Sequence, residues 1–212
     1  MTRSVWVAGC LAILLGGDAL AQVAPAAPPA EPRRVHIDVG AGDPVLGPSG
    51  APVTLVVFAD FECPFCRRLG GTLTRLREKY GDQVRIVWKD YPLTRIHPHA
   101  FAAAVAGRCA FEQGRFWEYH HRLFASQVAL QTSALQQYAA DSALDLRRFA
   151  ACSASDATSQ TVQAAVGVAV QLGLTATPTT FVNGRMVKGA KPYATFASLI
   201  DDELQTRPRP TR

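Results

Sequence analysis

The stretch VTLVVFADFECPFC, Val53 to Cys66, ends an almost continuously apolar, valine-rich run on a pair of cysteines two residues apart. Seven apolar or β-branched residues without alternation suit a central strand covered on both faces. Downstream, Phe65, Leu69, Leu73, Leu76 and Tyr80 recur at helical spacing, with Pro64 in the first turn and Gly81 past the end. Val84, Ile86 and Trp88 then alternate with their neighbours as a second strand. A strand, a helix and a strand in this order make a right-handed βαβ unit with parallel strands, and they put the cysteine pair at the carboxyl end of the first strand, where open α/β sheets build their sites.

That placement predicts redox chemistry. A cysteine opening a helix meets free backbone N–H groups and the positive end of the helix dipole, which favour thiolate over thiol. Cys63 is the candidate nucleophile. Cys66, one turn on, is expected to sit deeper and to resolve a mixed disulfide on Cys63. Half of a zinc site is the competing reading of a CxxC pair, but zinc usually takes four ligands, often from a second paired motif, and Cys109 and Cys152 stand alone. No metal and no cofactor is expected.

The ends of the chain point to export. Arg3, an apolar run from Val5 to Leu15 and Ala19-Leu20-Ala21 read as a signal peptide over residues 1–21. Residues 22–34 switch to alanine and proline, an extended linker, and the folded domain is expected over 35–205 with a short tail, 206–212. No later segment approaches the roughly 20 apolar residues of a bilayer span, so the chain is not expected to be transmembrane itself. The predicted location is the periplasm. The net charge of +5 comes from scattered basic residues with no aromatic interleaving, and no nucleic-acid role is expected.

From His97 to Gly173 the pattern is helical, with stripes at Ala102, Val105, Ala106, Cys109 and Ala110, at Phe116, His120 and Phe124, at Leu146 and Phe149, and at Val162, Ala165, Val166, Ala169 and Val170. Strand signals return at Thr179 to Val182 and Met186 to Lys188 around Asn183-Gly184, a type I′ turn signature. A last helix runs from Pro192 to about Leu204. The fold class is α/β: a βαβ unit, a helical insertion over about 97–173, a β-hairpin and a closing helix.

Four segments, DPVLGPSGAPVTLVVFADFECPFCRRL, VWKDYPLTRIHPHA, RCAFEQGRFWEYHHRLF and GLTATPTTFVNGRMVKGAKPYATF, together resemble the DsbA-like thiol:disulfide oxidoreductases of the thioredoxin superfamily, from about Asp43 to Asp201. The resemblance implies a thioredoxin fold carrying a helical insertion. It also implies that Thr177-Pro178 is a cis-proline loop facing Cys63, although X-Pro bonds taken alone favour trans. Such a loop would let the Thr177 backbone pair with an extended substrate segment, and Pro64, Phe65 and Pro178 would line the contact. The implied activity is disulfide exchange with unfolded or partly folded exported proteins, in concert with a membrane redox partner. A reductase or isomerase of the same fold and an exported metal-binding thiol protein remain as alternatives.

Two departures matter. Thioredoxin-like proteins often carry a buried acid six residues before the nucleophile; here that position is Val57. Proton transfer from Cys66 would then fall to water, Asp60, Glu62 or Lys89, with Asp60 and Glu62 read as solvated strand-end charges and Lys89 as a surface lysine. The dipeptide also carries Phe65 where strongly oxidising members have histidine, so a less oxidising couple is expected. His97, His99, His120 and His121 are read as packing or solvent residues, since adjacent helical histidines face apart. Cys109, on an apolar stripe, and Cys152, on the next short helix of the same exported insert, are read as a second, structural disulfide; two buried unlinked thiols are the alternative.

Overall fold

The computed structural model describes Met1, Thr2 and residues 34–206. Nearly all of the segment read as a signal peptide and of the linker, and the end of the tail, lie outside the described residues. In chain order the elements are β1 (Val45–Leu46), β2 (Val53–Ala59), α1 (Pro64–Tyr80), β3 (Val84–Asp90), α2 (Ala100–Glu112), α3 (Phe116–Ala125), α4 (Thr132–Asp141), α5 (Leu146–Ser153), α6 (Asp156–Gln171), β4 (Thr179–Val182), β5 (Arg185–Lys188) and α7 (Tyr193–Thr206). They form the expected α/β thioredoxin-like architecture around one sheet in the order β1-β3-β2-β4-β5.

The valine-rich β2 is central. It runs parallel to β3, from Val53 opposite Val84 to Ala59 opposite Asp90, and antiparallel to β4, with Leu55 opposite Val182. Both of its faces are covered, which explains the absence of alternation. Val53, Leu55, Val57 and Ala59 pack with Leu69 and Leu76 of α1, Phe196 and Ile200 of α7 and the insertion. Val56 and Phe58 pack on the opposite face with Val87, Phe181 and Ala169 of α6. Phe58 is fully buried, and removing a side chain of that kind from water stabilises the fold by about 1.5–3 kcal/mol.

The hairpin turns on Asn183 and Gly184, both with positive φ, +45° and +85°, as a type I′ turn requires. The Asn183 side chain accepts from the Thr54 N–H at 2.8 Å, so the turn also anchors the start of β2. Two elements carried too little signal to be read. β1 is two residues long and takes its order from antiparallel pairing with β3. α4 buries only Leu135 and Ala139 and has no side-chain cap.

The insertion packs less regularly than its stripes suggested. On α2, Ala102 is exposed, whereas Ala103 and Arg108 are buried. Leu146 and Val170 face solvent instead of the core. Arg108 is buried because its guanidinium pairs with the buried Asp90 carboxylate and donates to the Gly42 carbonyl. A disulfide joins Cys109 of α2 to Cys152 of α5, with 5.7 Å between their Cα atoms.

Candidate active site

Cys63 is the N-cap residue of α1, in extended conformation, and Pro64 follows at the first helical position. Proline suits that position because its φ is already helical and the helix needs no N–H there. The first turn contains no acidic residue, so nothing in it opposes a negative charge on the Cys63 sulfur. The Cys63 sulfur lies 3.5 Å from the Thr177 carbonyl oxygen, and the Thr177-Pro178 peptide bond is cis. Residues 114 apart in sequence thus meet at the mouth of α1.

Both cysteines are buried residues, each 3% exposed. By solvent exposure alone the two residues do not differ, whereas the Cys66 sulfur lies deeper, as expected. Hydrogen bonding separates them further. The Cys66 thiol donates to Cys63, the Thr177 hydroxyl and the N–H groups of Cys66 and Phe65 add to it, and together they outweigh burial to bring the Cys63 pKa down to about 6. Burial pushes the Cys66 thiol well up, and the neighbouring Cys63 adds to the rise. The Thr177 hydroxyl is buried and finds no partner other than the thiols, so its proton is free to turn toward a thiolate. Phe65 stands out from the pair, 51% exposed, with the Arg68 guanidinium 5.2 Å from its ring centre.

Several neighbours differ from the sequence reading. Asp60 is buried, not solvated: its carboxylate accepts from the Glu62 N–H at 2.7 Å, the Leu93 N–H at 2.8 Å and His97 Nδ1 at 2.7 Å. A carboxylate can leave water when that many donors replace the solvent. Glu62 is half-buried and accepts from the His99 N–H. Lys89 is paired with Asp43 at 2.8 Å, and it lies on the sheet face opposite the thiols because its partner in register, Phe58, points there. It is neither a free surface lysine nor a thiolate partner. Val57 is buried and packs in the same hydrophobic cluster as both cysteines.

Gln127 was not anticipated. From the loop after α3 its amide donates to the carbonyls of Phe61 and Cys63, both at 2.8 Å, so the insertion holds the turn that precedes the cysteines. Nothing in local sequence marks a glutamine 64 residues downstream for that role. Phe61, between Asp60 and the cysteines, stacks on Trp88 at 4.7 Å and is surrounded by Phe116, His120 and Phe124. His120 is buried in this cluster, where burial lowers its pKa to about 3 and keeps it neutral. Among the described residues, no three His, Cys, Asp or Glu side chains converge as a metal site.

A family model described as Thioredoxin matches residues 40–202. The chain belongs to the thioredoxin family. Solved structures similar to it include a thioredoxin-like oxidoreductase from Silicibacter pomeroyi (TM-score 0.72, 23% identity, 79% of this chain and 95% of that one) and BdbD from Bacillus subtilis in its oxidised form (0.69, 23%, 77% and 94%). The thiol-disulfide exchange protein alpha-DsbA2 from Wolbachia pipientis is similar over 76% of this chain and 87% of its own, at TM-score 0.70 and 16% identity. The fold is therefore DsbA-like. Curated relatives include a protein named Na(+)/H(+) antiporter NhaA 1 from Mycolicibacterium gilvum, 40% identical over 175 residues, 82% of this chain. The chain spans 27% of the length of that relative. Among the described residues, no helix is long and apolar enough to cross a membrane.

Proposed function

We propose that this chain is an exported thiol:disulfide oxidoreductase that exchanges disulfides with unfolded or partly folded proteins, with Cys63 as nucleophile and Cys66 as resolving thiol. The observation that carries the reading is the arrangement of two neighbouring sulfurs with opposed titration: Cys63, capping the helix beneath the Thr177 loop, is held near pKa 6, while the deeper Cys66 is pushed up. The group ionised at neutral pH is thus the one that faces Thr177. In this reading the Thr177 backbone receives an extended segment of the substrate, Pro178, Pro64 and Phe65 form the apolar contact around it, and the exposed ring of Phe65 is the part free to meet a partner. The cysteines carry the electrons themselves, so no cofactor is required. Residues 1–21 direct export to the periplasm, residues 35–205 form the working domain, the disulfide of Cys109 and Cys152 is structural, and a membrane redox partner restores the working oxidation state.

Trapping tests the assignment of roles. Cys66→Ala should accumulate covalent adducts with exported proteins, and Cys63→Ala none, on non-reducing gels. The reverse pattern would assign the roles the other way round. A measured reduction potential for the couple then distinguishes an oxidase from a reductase or isomerase.

A further inference from the structure

Cys66 presents a chemical difficulty that Cys63 does not. Whenever Cys66 attacks or leaves, its sulfur carries negative charge in surroundings that burial makes hostile to it. The buried acid position that could assist is the apolar Val57. The backbone N–H of Asp60 points at the Cys66 sulfur, 3.5 Å away, and the Asp60 side chain holds that N–H in place through three bonds. One closes a tight turn on Glu62; the other two, to the Leu93 N–H and His97 Nδ1, reach across to the segment between β3 and α2. The Asp60 side chain is wholly buried, whereas His97 is partly exposed. The imidazole is fixed as the tautomer protonated at Nδ1, because a carboxylate there only accepts.

We propose that Asp60 and His97 are positioning residues for the resolving thiol: their hydrogen-bonded clamp aims the Asp60 N–H at Cys66 and sets the rate of the step in which Cys66 becomes, or ceases to be, a thiolate. The inference rests on the exchange reading above. In the resolving step the Cys66 thiol first loses its proton to water. Its sulfur then attacks the Cys63 sulfur of the mixed disulfide, the Cys63–Cys66 bond forms as the bond from Cys63 to the substrate sulfur breaks, and the electron pair leaves on the substrate sulfur, which takes a proton from water. The cysteine pair is oxidised and the substrate reduced; in the opposite direction Cys66 is the leaving group and the same N–H receives its charge. Cys63 depends on other donors, namely Cys66, Thr177 and the first turn of α1, and its carbonyl is held by Gln127. The clamp therefore acts on one half of the reaction.

The test uses oxidised glutathione as the probe disulfide, with the Cys63–glutathione adduct followed by acid quench and mass measurement. Adduct formation reports Cys63; adduct decay reports Cys66. In Asp60→Ala and His97→Ala, formation should stay within about twofold of the parent, while decay slows about tenfold, as expected for loss of a hydrogen bond to a charged atom. His97→Gln, which keeps a donor within reach of the carboxylate, should recover most of the decay rate. If Asp60→Ala fails to fold, His97→Ala carries the test, since it removes only the outer partner. Decay unchanged in a folded variant, or formation and decay falling together, would overturn the clamp. A parent protein that forms no adduct would overturn the exchange reading itself, which keeps the two failures distinct.

Discussion

Ionisation of Cys63 should appear as pH-dependent stability of the reduced protein alone. The sulfur titrates at about 6 in the fold against an ordinary thiol value of 9.0. A group whose folded pKa is depressed stabilises the fold fully above its unfolded value, and that stabilisation is lost as pH falls through the folded one. From these two values the term is negligible at pH 5, about 1.4 kcal/mol at pH 7 and about 2.7 kcal/mol at pH 8. Cys66, shifted upward, is protonated in both states below pH 9 and adds nothing in this window. At about 2–4 °C per kcal/mol for a domain of this size, the reduced protein should gain about 5–10 °C in Tm from pH 5 to pH 8 relative to Cys63→Ala, which lacks the group but shares every histidine and carboxylate. The oxidised protein, with no thiolate to form, should track Cys63→Ala instead. Because only the reduced state gains, the couple should also be about 30 mV more oxidising at pH 7 than an unshifted pair. Calorimetry of the three species across pH measures this directly, and a difference between reduced parent and Cys63→Ala that stays flat from pH 5 to pH 8 would refute the hydrogen-bonding account of Cys63.

Removing the second disulfide with Cys109→Ala and Cys152→Ala should lower stability by about 4 kcal/mol on the chain-entropy model for a separation of 43 residues; the potential of the Cys63–Cys66 couple should not move, and urea unfolding with redox titration reads both. Phe65→His should lower the Cys63 pKa further and raise the potential, since it adds a donor or a positive charge beside the thiolate; thiolate absorbance against pH checks it. Arg108→Ala leaves the buried Asp90 carboxylate without its cation and should cost about 3–5 kcal/mol in denaturant unfolding, whereas Arg115→Ala, from a solvent-exposed ion pair with Glu118, should cost less than about 1 kcal/mol.

What the sequence determined by itself is what local periodicity and local stereochemistry encode. The unbroken apolar run of β2, the helical spacing from Phe65 to Tyr80 and the apolar positions Val84, Ile86 and Trp88 define the βαβ unit, since each pattern matches one backbone repeat, although β3 also buries Val87 on its other face. Asn183-Gly184 defines the hairpin, because both positions need positive φ. The CPFC run at a strand-to-helix junction points to the proposed chemistry, since the helix terminus acts on whichever atom opens it. Only the tertiary structure decided what surrounds those atoms. Gln127 reaches Cys63 from the insertion across 64 residues, and His97 and Leu93 draw Asp60 out of solvent; the approach of Thr177, 114 residues from Cys63, was legible only through the family resemblance. A charged residue beside a motif reads as solvated until donors from elsewhere in the chain arrive to replace water, and no local pattern announces them.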